Sequence, residues 1–96
     1  MSSTFFALNG FDLVRDLDDS EVNVHNTNAF RIMGALGMEV DYQDHPAGEL
    51  PLDEFLVAVE RALATTDQRD MVHYMIRLRT LAWDARELNA DTIAWA

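Results

Sequence analysis

Apolar residues fall along this chain in two rhythms, one of two residues and one of three to four. The places where the rhythm changes mark its elements. The first run, Phe5-Phe6-Ala7-Leu8, is followed by Asn9-Gly10 and then by Phe11-Asp12-Leu13-Val14-Arg15. Asn-Gly between apolar runs is the strongest short-range hairpin signal, because a type I′ turn needs positive φ at both central residues. Phe11, Leu13 and Leu17 share one parity, as strand alternation requires. Phe11, Val14 and Leu17 also fit a helical spacing, and of the two the hairpin over 5–15 is preferred. Asp18-Asp19-Ser20 supplies turn chemistry. Residues 21–25 then read as a short strand with Val22 and Val24 on one side.

The longer rhythm begins at residue 26. Asn26 or Asn28 is suited to cap a helix whose buried stripe is Phe30, Met33 and Leu36, with Gly37 at the left-handed position after its end. Gly34 inside that helix costs about 1 kcal/mol, which suggests close approach of another backbone. Residues 38–50 read as a polar connection. Pro51 suits the first position of a second helix, with Asp53 and Glu54 complementing its positive end. Leu52, Phe55, Leu56, Val59 and Leu63 mark its apolar face. Thr65 or Thr66 would cap a third helix running to about Leu88, with Met71, Met75, Leu78, Ala82 and Ala85 in one stripe, widened by Tyr74, Leu81 and Leu88. The tail Asp91-Thr92-Ile93-Ala94-Trp95-Ala96 is rich in strand-forming residues. The expected architecture is a single α+β domain over residues 1–96. The hairpin, the strand at 21–25 and the C-terminal strand make a small antiparallel sheet packed against three helices.

Composition narrows what such a domain can do. The 96 residues include 26 Leu, Ile, Val and Phe, which argues against disorder. There is no Cys and no Lys. This excludes disulfides, thiolate metal sites, thiol nucleophiles, Schiff-base chemistry and the P-loop lysine. Seventeen acids against seven Arg give −10, and residues 1–54 alone carry −9. Direct nucleic-acid binding is therefore not expected, because phosphate backbones are held by clustered cations. No apolar run approaches membrane-spanning length, and the segment MSSTFFALNG lacks the basic region of a signal peptide. A cytoplasmic protein without membrane contact is the expectation.

The run Val22-Asn23-Val24-His25-Asn26-Thr27-Asn28-Ala29, with Leu36-Gly37 closing the helix, resembles a family of small bacterial proteins with no established activity. The shared pattern is N-x-x-N-x-N-A at a helix start. Gly48-Glu49-Leu50-Pro51 before the second helix and Ile93-Ala94-Trp95-Ala96 at the end resemble the same family's later motifs. The resemblance covers residues 22–96, with His25 in place of a Ser and a longer N-terminal stretch. It implies the architecture above and a bacterial or phage-like origin.

Candidate chemistry is sparse. Asn23, Asn26 and Asn28 form a candidate polar cluster, whose better use is to satisfy the open amides of a helix start. Asp12, Asp16, Asp18, Asp19 and Glu21 form a candidate acidic surface. Read as an EF-hand from Asp16, they put Glu21 where Gly is needed and Thr27 where the bidentate Glu is needed, so that pattern fails. The three histidines have no metal-ligand spacing, and no base lies near any of the three serines in sequence. Neither a metal, a cofactor nor a catalytic constellation is expected, and a non-enzymatic chain is the better reading. Tyr74, Leu81 and Trp83 widen the third helix's apolar arc and are the candidate interface, pointing to a protein-interaction or assembly module that self-associates. Two alternatives are an acidic mimic of nucleic acid that inhibits a basic partner protein, and a small-molecule-binding domain.

Overall fold

Strand β1 (Ser2–Asn9) organises the fold in the computed structural model, which describes residues 2–14, 21–41 and 43–96. One edge of β1 pairs with β5 (Thr92–Trp95). Its other edge pairs first with β3 (Glu21–His25) and then, at the end, with β2 (Asp12–Leu13). A further strand, β4 (Gly48–Pro51), lies on the outer side of β5. Every pairing is antiparallel. The helices are α1 (Asn26–Ala35), α2 (Leu52–Thr65) and α3 (Arg69–Glu87). The expected α+β architecture is the observed one.

Alternation along β1 decides which face is buried. Ser3, Phe5 and Ala7 point into the core, and the register sets Val24 and Val22 beside them on one side and Trp95 and Ile93 on the other. The helices cover this face with Ile32 and Met33 from α1, Phe55 and Val59 from α2, and Met75, Leu78 and Leu81 from α3, in one apolar cluster. Trp95 stands at its centre, 5.3 Å from the Phe5 ring and 6.5 Å from that of Phe55.

Several boundaries differ from those the sequence predicts. Asn9 pairs with Asp12, so the tight loop is Gly10-Phe11 and only Gly10 has positive φ, 61°. That is the requirement of a type II′ turn rather than the expected I′. Of the residues with two readings, Asp12 and Leu13 are strand, while 15–17 lie outside the described residues. Residues 38–50 are not loop throughout, because Gly48–Pro51 pair with Trp95–Thr92. Pro51 is consequently an extended residue before α2 rather than its first helical one, with φ −52° and ψ 142°. The bond from Leu52 N–H to the Asp91 carbonyl turns the backbones of Glu49 and Pro51 toward the open edge of β4. Pro51 has no amide hydrogen to offer there, which makes this edge a poor template for another strand.

Helix ends differ too. His25, not Asn26 or Asn28, caps α1, its ring nitrogen accepting from Thr27 N–H at 3.3 Å. α3 starts after Gln68, and Thr66 Oγ1 accepts the Gln68 amide instead of capping the helix directly. The buried residues of α1 are Ala29, Ile32 and Met33, with Phe30 only partly covered. Gly37 takes the left-handed position as expected, with φ 83°. The amides of Gly37 and Met38 return to the carbonyls of Gly34 and Met33, the Schellman arrangement. Asn89, φ 63°, closes α3 in the same way. No neighbouring backbone approaches Gly34, where a Cβ would meet open space; the tightly packed glycine is Gly48.

Candidate functional site

The three asparagines point to three different places, so they form no single site. Asn23, on the sheet face away from the helices, donates to Thr4 Oγ1 at 2.7 Å and to Ser2 Oγ at 3.3 Å. Asn26 accepts from the buried Ser3 hydroxyl at 2.9 Å, and its amide nitrogen lies 3.5 Å from His45 Nδ1. Asn28 donates to Tyr74 Oη at 2.9 Å and accepts from Arg31 at 3.1 Å. Arg31 continues to Asp70 at 2.7 Å and to Gln68 at 2.7 Å. These bonds tie α1 to the first turns of α3. The hydrogen bond from Arg31 holds the Asp70 carboxyl below the usual carboxylate range, partly offset by desolvation, and raises Arg31 in turn.

The acidic surface is only partly within the described residues. Asp16, Asp18 and Asp19 lie outside them, and so does the Glu21 side chain. Asp12 is exposed at the hairpin end of β1, opposite Asn9. The other acidic stretch, with Glu39, Asp41 and Asp44, leads into Pro46, whose carbonyl lies 3.5 Å from Ser3 Oγ near the opposite end of β1. Ser3 and Asn9 are six residue steps apart along β1, about 20 Å. Asp12 and this loop thus flank different ends of the sheet. Among the described residues no three His, Asp or Glu side chains gather to hold a metal ion.

The candidate interface divides. Leu81 is 2% exposed and belongs to the core, a correction to its expected role. Tyr74 is half-buried and committed to Asn28. Trp83 is 48% exposed. The cause is angular: at about 100° per residue, Leu81 falls within about 20° of Tyr74, and Trp83 falls on the opposite side of α3. What surrounds Trp83 was not foreseen. The Arg79 guanidinium lies 4.7 Å from its ring centre and donates to Glu60 of α2 at 3.3 Å. Arg86 pairs with Asp53 of α2 at 2.6 Å. Between these two bridges, Trp83, Leu56 and Val57 line a hollow of about 480 Å³.

Val57, 59% exposed, is the crest of α2 and borders a second hollow on its other flank. This one has a volume of about 450 Å³, with Leu36, Met38, Leu50 and Ala58 as its apolar walls. Asp53, Glu54 and Arg61 stand at its rim. The signal for this surface was available in the sequence: Val57 departs from the polar side of an otherwise regular amphipathic helix.

No family model, no curated protein and no solved structure matches the chain. No helix among the described residues is long and apolar enough to cross a membrane.

Proposed function

We propose that the protein is a non-enzymatic assembly module that associates with itself through the outer face of α2 and α3. One observation carries this reading: Trp83 and Val57 stand exposed beside each other on two rigid helices, framed by the Arg79–Glu60 and Arg86–Asp53 pairs. An exposed aromatic among apolar neighbours with a charged rim is the anatomy of an interaction site. Charge favours a second copy as the occupant. The two framing pairs set two Arg against two acids, a balanced patch on a molecule that carries −10. Two copies repel through most other surfaces and least through this one.

An NMR dilution series tests the proposal. Amide signals of Val57, Glu60 and Arg86 and the Trp83 indole signal should move together with concentration, while those of β1 and β3 stay fixed. Signals that are independent of concentration, or that move only on the sheet, contradict it.

A further inference from the structure

The first turn of α1 is held by a titratable group. The donor at its cap is the backbone N–H of Thr27, so the acceptor, His25 Nδ1, carries no proton, and the neutral ring holds its hydrogen on Nε2. A second proton can go only to Nδ1, where it turns the acceptor into a donor facing another donor. Imidazole takes that proton between about pH 5 and 8, and His25 is exposed to the water that delivers it. The resulting cation stands at the positive end of the helix dipole. Among the described residues no carboxylate pairs with His25. α1 has no acid in its first turn, and across the sheet His25 faces Ser2 of β1. On α3, which also packs against β3, Asp70 is held by Arg31, and the His73 ring lies 6.3 Å from that of Tyr74. The remaining titratable neighbour is His45, whose Nδ1 lies 3.5 Å from Asn26 and which shares its hollow with Glu39, Asp41 and Asp44.

We propose that His25 is a pH-responsive cap: its protonation in mildly acidic solution uncaps α1 and loosens the turn that ties this helix to β1 and α3. The effect reaches beyond the cap because Asn26 and Asn28 belong to that turn. Asn26 accepts from the Ser3 hydroxyl in the sheet, and Asn28 donates to Tyr74 on α3. Both bonds need helical backbone at 26–28 to aim the side chains. Ile32 and Met33, buried further along, keep the rest of α1 in place, so the change is confined to the first turn.

An NMR titration from about pH 8 to 5, the span in which imidazole titrates, tests the cap in the native chain and in His25→Asn. Asn keeps a capping acceptor but does not titrate. Carboxylates ordinarily titrate near about pH 4, below this range. At the alkaline end, the native His25 ring should show its proton on Nε2 alone. On acidification, the Cα shifts of residues 26–28 should move toward coil values with the midpoint of the His25 ring, and the Asn28 side-chain amide should follow. In His25→Asn these signals should stay near their alkaline values, while His45 and His73 still titrate. A neutral His25 ring with its proton on Nδ1 overturns the proposal. So do helical shifts at 26–28 that hold through the His25 titration, and so does the same movement in His25→Asn, which would assign it to His45.

Discussion

Among the glycines, Gly48 is the one packed tightly, against Trp95. A Cβ at Gly48 would lie 2.7 Å from Trp95 Cζ2, and the indole cannot retreat because Phe5 and Phe55 stand against it. Gly48→Ala should therefore lower stability by about 1–3 kcal/mol, the usual cost of overpacking; urea denaturation measures it, and an unchanged midpoint would contradict this packing. Asp70 supplies a pH-dependent prediction. Its folded pKa lies below the unfolded value, so its contribution is present above about pH 3.9 and is lost as pH falls through the folded value. Arg31→Ala should shrink the loss of stability on acidification, and identical acid titrations for the two proteins would contradict that role. At this scale the sequence was only half legible. Asn side chains at 23, 26 and 28 announced polar bonding but not its partners, since Thr4, Ser3 and Tyr74 lie 19 to 46 residues away. The cap fell to His25 because its ring nitrogen already reaches the Thr27 amide, freeing Asn26 and Asn28 for those distant partners.

Among the elements, β5 holds the sheet together, being paired on both edges with β1 and β4. Trp95→Ala should cost about 3–5 kcal/mol, a large part of the 5–15 kcal/mol of an ordinary domain. Removal of residues 91–96 should abolish cooperative unfolding altogether, as followed by circular dichroism; a truncated chain with a sharp native transition would contradict the place given to β5. The three helices and the strands at 21–25 and 92–95 were legible because periodicity is a local property of the chain. β4 was not. Gly48-Glu49-Leu50-Pro51 carries one large apolar side chain and a proline, and only pairing with a segment more than 40 residues later makes it a strand. The candidate interface divided for a simpler reason: Tyr74, Leu81 and Trp83 were read as widening one apolar arc, although at about 100° per residue Trp83 lies on the opposite side of the helix from the other two.

For the whole molecule, the balance between a charged exterior and an apolar contact decides how association responds to salt. Each copy carries −10, while the bridges around Trp83 are exposed pairs of the kind worth about 0–1 kcal/mol. Long-range repulsion therefore outweighs local attraction at low ionic strength. Raising salt from about 0.01 to 0.15 M shortens the Debye length from about 30 to 8 Å, and the dimer should tighten. A docking of the acidic face onto a basic partner would weaken over the same range. Light scattering across the salt series separates the two behaviours.

Whether the chain pairs with itself is decided by its mass in solution. Sedimentation equilibrium of the native chain at physiological salt, over a micromolar concentration series, should show the mass rise from 10.9 kDa toward twice that value and stop there. A mass fixed at 10.9 kDa at every concentration would rule out self-association.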